Sequence, residues 1–89
     1  MNNILSEQTT AKVQDILMQN LDIERSQITL EAGIEADLGA DSLAIVQINM
    51  EVEETFNVTL PDEQLDEIHT VRDLYEALAN RLEVTGQPL

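Results

Sequence analysis

Apolar residues recur every three to four positions along most of the chain, which is the spacing of an amphipathic α-helix. A first helix is predicted from about Ser6 to Leu21. Its apolar face comprises Val13, Ile16, Leu17 and Leu21. A last helix is predicted to start at Thr70, because Asp73 three positions later completes a capping-box pattern. Its apolar face comprises Val71, Leu74, Ala77, Leu78 and Leu82.

Two further helices are predicted between these, from signals that mark where a helix begins. The second helix begins near Asp41 or Ser42 and runs to about Thr55. Gly39 permits a sharp turn before it, and the side chain of Asp41 or of Ser42 is suited to cap its free N–H groups. Pro61, followed by two acidic residues, predicts the start of a short third helix, since proline and acids both suit a first turn.

Residues 22–40 lack helical periodicity and form a predicted long loop. Apolar residues spaced along this segment are expected to anchor it to the core: Ile23, Ile28, Leu30, Ile34 and Leu38. The predicted fold class is therefore all-α, a four-helix bundle with a long first loop and a short third helix. We expect one domain over residues 1–89, with a folded core of about 6–82. Residues 83–89, which include Gly86 and Pro88, are expected to form a frayed tail.

Composition narrows the possible functions. The 89 residues include no cysteine, which excludes disulfides and thiolate chemistry, and only two aromatic residues, Phe56 and Tyr75. Eighteen acidic residues against four basic ones give a net charge of −14. Such a surface disfavours nucleic acid and anionic membranes and attracts basic protein surfaces. Neither a secretory signal nor an apolar stretch long enough for membrane insertion is recognisable, so a cytoplasmic protein is expected.

The second helix carries two apolar stripes instead of one. At 100° per residue, four side chains fall on one arc, the core arc: Ile45, Ile48, Val52 and Phe56. A second stripe lies on average more than 90° away and comprises Leu43, Val46 and Met50. Polar and acidic residues surround this second stripe: Gln47, Glu53 and Glu54. Two interpretations stay open, a docking face for a basic partner or burial beneath the long loop or the short third helix.

Ser42 follows a glycine turn at a helix N-terminus, where its hydroxyl is exposed and nearby N–H groups favour a bound phosphate ester. A simple helix cap is the alternative for this position. A hydrolase is not indicated, because the surroundings lack the G-x-S-x-G pattern and the single histidine, His69, has no evident pairing with Ser42. The acidic runs contain no calcium-loop pattern, so no metal site is expected.

The run Asp37-Leu38-Gly39-Ala40-Asp41-Ser42-Leu43, with Glu53-Glu54-Thr55-Phe56 and Leu60-Pro61-Asp62-Glu63 after it, closely resembles the acyl carrier proteins. The resemblance spans about residues 13–82. It implies a four-helix carrier, not an enzyme, in which a phosphopantetheinyl transferase attaches 4′-phosphopantetheine to Ser42, with Asp41 as the adjacent acid. The arm then holds acyl intermediates as thioesters for enzymes of fatty acid or related acyl biosynthesis.

The resemblance also assigns roles to other positions. The residues implied to face acyl-processing enzymes with basic docking patches are Leu43, Val46, Gln47, Met50, Glu53 and Glu54. The residues implied to line an acyl pocket are Ile45, Ile48, Val52, Phe56 and Ile68. A monomer is expected.

Three positions depart from the family pattern: Ala44 and Gln47 stand where acids are common, and Asn49 stands where an aliphatic residue is usual. A specialised carrier for a polyketide, aminoacyl or modified-lipid pathway is therefore an alternative. An acidic helical interaction module without a prosthetic group is the alternative from another class.

Overall fold

Three long helices and one short helical turn dominate the computed structural model, which describes residues 4–89 apart from the side chains at positions 62 and 64. Helix α1 spans Glu7–Leu21, α2 spans Ser42–Phe56, α3 spans Asp62–Leu65 and α4 spans Val71–Val84. Within residues 4–89 no strand is present, and one isolated β-bridge joins Gly33 to Thr70. The predicted all-α fold with a long first loop and a short third helix is confirmed.

The helix boundaries follow local chemistry. Ser6 caps α1, with its Oγ accepting from the N–H of Thr9 at 3.2 Å. The predicted capping box opens α4, because Thr70 Oγ1 accepts from the N–H of Asp73 while the Asp73 carboxylate accepts from the N–H of Thr70. α2 ends one residue beyond the predicted Thr55, where Asn57 adopts a left-handed conformation that stops the helix.

The core lies between the apolar faces of the three long helices. Its largest fully buried side chains are Leu17, Leu60, Tyr75, Leu78 and Leu82. α1 packs on α2, and Asn20 of α1 donates a hydrogen bond to the carboxylate of Glu51 on α2. Tyr75 was not part of the predicted apolar stripe of α4, yet it is 2% exposed, because that helix is apolar over a wider arc than the prediction assumed.

The long loop is anchored as predicted. Ile28, Ile34 and Leu38 are buried, and Ile23 and Leu30 are half-buried against the core. A 3-10 turn that the sequence did not predict spans Arg25–Gln27. Backbone hydrogen bonds then join the loop to the start of α4: Ile34 N–H donates to His69 O at 2.8 Å, and Val71 N–H donates to Ala32 O at 3.0 Å.

The C-terminal segment returns toward the start of the first helix. α4 continues to Val84, two residues beyond the predicted end of the core, and Gly86 then takes a positive φ of 76°. Ser6 N–H donates to Leu89 O at 3.0 Å, so the last residue contacts the first turn of α1. Fraying of residues 83–89 stays a prediction. The expected extension of the domain over residues 1–3 also stays a prediction, because those residues lie outside the described part of the chain.

Candidate functional site

Ser42 is the first residue of α2, and its side chain is exposed. Its Oγ makes no hydrogen bond with the described residues, and the backbone N–H groups of Ser42 and Leu43 likewise have no acceptor there. Unpaired N–H groups are the normal condition of a helix start, and the helix dipole adds a partial positive charge at the same place. A free hydroxyl therefore stands beside groups suited to bind an anion.

Asp41 caps α2, which settles the choice between Asp41 and Ser42. Its extended backbone places Oδ1 2.8 Å from the N–H of Ala44, from which it accepts a hydrogen bond. Because the aspartate performs this task, the neighbouring serine hydroxyl is not needed to stabilise the helix.

The turn before Ser42 is held by Asp37, a residue to which the sequence assigned no separate role. Asp37 Oδ2 accepts from the N–H of Gly33 at 2.6 Å, and Asp37 N–H donates to Gly33 O at 2.8 Å, which closes a short ring. Gly39 has a φ of 78°, a conformation that favours glycine. The preference of aspartate and glycine for such turns was the available sequence signal.

The two stripes of α2 are separated in the structure. On the core arc, Ile48, Val52 and Phe56 are buried, and Ile45 is half-buried. The second stripe is exposed instead: Leu43 is 67% exposed, Val46 47% and Met50 52%. No described part of the long loop or of α3 covers it, so the geometry disagrees with the burial alternative.

Of the polar and acidic residues around the second stripe, two are exposed and one forms hydrogen bonds within the fold. Gln47 and Glu54 are exposed. Glu53 is half-buried, and its two carboxylate oxygens accept from the N–H of Leu60 at 3.0 Å and from Nδ2 of Asn49 at 3.2 Å. Glu53 therefore ties the segment after α2 back onto the helix. Its contact with Leu60 is made across the turn that follows α2, which the local sequence pattern does not reveal.

A small cavity of about 20 Å³ lies behind the core arc of α2. The residues that line it are Ile34, Ile45, Ile48, Asn49, Leu65, Ile68 and Leu74. Of the predicted acyl-pocket residues, Ile45, Ile48 and Ile68 lie in this lining, whereas Val52 and Phe56 do not, because they pack elsewhere in the core. The sequence missed the contributions of the long loop, α3 and α4, since those contacts are tertiary.

Asp73 belongs to the capping box at the start of α4, the helix that contributes Leu74 to the cavity lining. Hydrogen bonds from the backbone N–H groups of His69, at 3.0 Å, and Thr70, at 3.1 Å, stabilise its ionised form and lower the pKa of the Asp73 carboxyl. Burial raises the pKa of the Tyr75 phenol on the same helix. His69 itself is exposed.

Neither a metal centre nor a membrane span is found in residues 4–89. No group of three or more potential metal-ligating side chains comes together among the residues whose positions are described. In the same part of the chain, no helix combines the length and apolar character needed to cross a bilayer.

Comparison with known proteins identifies the class. Residues 11–78 match the family described as "Phosphopantetheine attachment site". An acyl carrier protein of Syntrophobacter fumaroxidans is 44% identical over 68 residues, covering 76% of this chain and 84% of the relative. An acyl carrier protein of Porphyromonas gingivalis is 42% identical over 71 residues, covering 80% and 91%.

A solved structure of the acyl carrier protein from Enterococcus faecalis superposes with a TM-score of 0.73 at 31% identity, covering 84% of this chain and 95% of that one. The chain therefore belongs to the acyl carrier protein family, and it is a carrier of acyl intermediates with phosphopantetheine as its prosthetic group. Members of this family are carriers and not catalysts.

The residues around Ser42 fit such a group. The attachment chemistry needs an accessible hydroxyl, which Ser42 has, and space for a phosphodiester beside hydrogen-bond donors. The unpaired N–H groups at the start of α2 supply those donors, and the Asp41 carboxylate is held against Ala44 N–H.

Proposed function

We propose that Ser42 is the residue to which 4′-phosphopantetheine is attached, and that the chain presents acyl thioesters to enzymes of fatty acid or related acyl biosynthesis. The observation that carries this proposal is the exposed Ser42 hydroxyl, free of hydrogen bonds within the described residues, at the start of α2. The family match over residues 11–78, which includes this position, supports it.

Within this proposal, the residues at the start of α2 position the attachment serine, and partner enzymes carry out the acyl-transfer reactions. The N–H groups of Ser42 and Leu43 would bind the phosphodiester and stabilise its negative charge. Asp41 keeps the helix start rigid through its bond to Ala44 N–H, so the attachment point is held in one place. When bound, phosphopantetheine supplies a flexible arm ending in a thiol that forms thioesters. The tether raises the effective concentration of the acyl group at a docked enzyme. No catalytic activity of the chain itself is proposed.

The second stripe is the proposed docking face. Its three apolar side chains, Leu43, Val46 and Met50, are exposed directly after the attachment serine. Glu54 and Gln47 border it, and a basic patch on a partner is complementary to the acidic surface of the chain. Glu53 contributes negative charge to the same face while its oxygens are engaged with Asn49 and Leu60.

The proposed partners are a phosphopantetheinyl transferase and acyl-processing enzymes with basic docking patches, met by a monomeric chain in the cytoplasm. Nucleic acid and membrane insertion are not part of the proposal, because a net charge of −14 opposes a polyanion and the residues described contain no membrane-spanning helix.

A specialised carrier within the same family is the second candidate. Gln47 is exposed on the docking face without the negative charge common at this position. Asn49 places an amide in the lining of the cavity, where an aliphatic side chain is usual. Both differences favour partners or cargo other than those of general fatty acid synthesis.

Intact-protein mass spectrometry tests the attachment proposal. The chain is incubated with coenzyme A and a phosphopantetheinyl transferase, alongside Ser42→Ala and the control Ser26→Ala, which removes an exposed serine from the 3-10 turn. The parent and Ser26→Ala are expected to gain one phosphopantetheine, and Ser42→Ala none. An adduct on folded Ser42→Ala would refute the assignment. A parent that never gains the adduct would favour an interaction module without a prosthetic group.

A further inference from the structure

Apart from Tyr75 with its phenol, Asn49 is the only residue with a polar side chain that is buried in the described chain, at 7% exposure. It lies on α2, and the other residues lining its cavity are apolar: Ile34, Ile45, Ile48, Leu65, Ile68 and Leu74. A buried amide in such surroundings is destabilising unless both of its ends form hydrogen bonds. The amide nitrogen and the amide oxygen of Asn49 therefore both need a hydrogen-bond partner.

Glu53 fixes the orientation of this amide. The Glu53 carboxylate is an acceptor only, and one of its oxygens is already engaged by the N–H of Leu60 at 3.0 Å. The group that Asn49 presents to the other oxygen, at 3.2 Å, must therefore be its donor, Nδ2. The carbonyl oxygen Oδ1 is left pointing away from Glu53. It is fully buried, and no residue of the described chain donates to it.

Asn49 is one of the residues that line the cavity, so its unpartnered Oδ1 determines which chemical group the cavity is suited to receive. Oδ1 is a pure acceptor and needs a hydrogen-bond donor, which a saturated acyl chain does not have. The cavity of about 20 Å³ has room for one small group, such as a water molecule or a hydroxyl. An amide on the cargo would also donate to Oδ1, but its own carbonyl would be buried among aliphatic side chains without a hydrogen-bond donor. An ammonium group would donate too, but its positive charge would be buried. A hydroxyl is the donor with the lowest desolvation cost.

We propose that Asn49 Oδ1 is a cargo subsite that binds a hydroxyl group on the acyl chain, so that the carrier shelters hydroxylated acyl groups in preference to saturated ones. This inference rests on the proposed attachment at Ser42. Asn49 lies seven residues further along α2, which is about two turns and about 10 Å along the helix axis, so both residues lie on the same side of the helix.

Thermal unfolding of loaded chains tests the subsite. A phosphopantetheinyl transferase loads the parent, Asn49→Val and Ile45→Val from acyl coenzyme A thioesters. The acyl groups are octanoyl and 3-, 5- and 7-hydroxyoctanoyl, and intact-protein mass verifies each loaded chain. At least one hydroxylated cargo is expected to raise the Tm of the parent by roughly 4–8 °C more than octanoyl does. Ile45→Val, which trims the same cavity without touching the amide, is expected to keep this preference, and Asn49→Val to lose it.

The outcomes separate the two proposals. A parent that does not load refutes the proposed attachment function and the subsite with it. A parent that loads but is stabilised equally by every cargo refutes the subsite alone, and a bound water is then the donor to Asn49. The subsite is also refuted if folded Asn49→Val keeps the hydroxyl preference. Were that variant not to fold, the four cargoes on the parent would still decide.

Discussion

At the scale of single residues, two aspartates cap helix starts by accepting hydrogen bonds from backbone N–H groups. Asp41 caps α2 through Ala44 N–H, so Ser42 needs no role in helix stability. Asp73 performs the equivalent task at α4, where it accepts from His69 N–H and Thr70 N–H. Both carboxylates lie at the N-terminal, positive end of a helix dipole.

The lowered pKa of Asp73 predicts a pH-dependent contribution to stability. Because the folded-state pKa lies below the unfolded value, the carboxylate stabilises the fold above the ordinary pKa of an aspartate. That contribution is lost as the pH falls through the folded-state pKa. Asp73→Asn is expected to lower the free energy of unfolding by roughly 0.5–1.5 kcal/mol at neutral pH, and urea denaturation at several pH values measures the difference.

The matched control is Glu76→Gln, which removes one negative charge from the exposed face of the same helix without removing a cap. It is expected to change stability little at neutral pH. The account of Asp73 is wrong if both substitutions cost the same, or if the deficit of Asp73→Asn persists unchanged in acid.

Residue-level roles differ in how far sequence alone reveals them. The motif around Ser42 is local, so its position at a helix start was predictable. The engagement of Glu53 with Leu60 N–H was not, because it depends on the chain turning back after Asn57. The orientation of the Asn49 amide follows from that same contact and was equally hidden.

At the scale of an element, α2 separates stability from recognition on one helix. Ile48→Ala on the core arc is expected to cost about 2–5 kcal/mol of unfolding free energy, and Val52→Ala less because fewer atoms are removed. Val46→Ala and Met50→Ala on the exposed second stripe are expected to cost less than about 1 kcal/mol. These two are expected instead to slow phosphopantetheine or acyl transfer by partner enzymes.

Thr55→Ala, at an exposed position of α2 outside both stripes, serves as the control and is expected to change neither quantity. Melting curves and transfer kinetics on the same set of variants give the answer. Should Val46→Ala and Met50→Ala prove as destabilising as Ile48→Ala, the second stripe belongs to the core and the docking proposal falls.

The helices were predictable because periodicity and caps are encoded within a few residues of each other. Their starts at Ser6 and Thr70 are fixed by side chains that hydrogen-bond three positions away. The cavity lining was only partly predictable, since Ile34, Leu65 and Leu74 reach it from three separate segments. Bringing those segments together depends on tertiary contacts such as the hydrogen bond from Ile34 N–H to His69 O.

At the scale of the whole molecule, negative charge is compensated locally at only two places in the described chain. Arg25 pairs with Asp15 and Arg72 with Glu31, each at 2.5 Å, and all four side chains are largely exposed. Exposed ion pairs of this kind contribute little to the stability of the fold. A net charge of −14 therefore leaves substantial repulsion between acidic side chains in the folded state.

Ionic strength is therefore expected to raise the Tm. Monovalent salt screens repulsion between exposed acids, and millimolar divalent cations do so more effectively without requiring a specific site. Calorimetric scans in increasing NaCl measure the effect. A Tm that does not change with salt would show that the acids are already compensated within the fold.

The central claim, attachment at Ser42, is tested most directly by locating the phosphopantetheine on the peptide. Cleavage after Arg25 and Arg72 yields residues 26–72, which contain both Ser26 and Ser42. Fragmentation of this peptide, taken from chain produced together with a phosphopantetheinyl transferase, is predicted to place the whole adduct on Ser42. An adduct on Ser26 or on another residue, or a chain that stays unmodified, would contradict the account.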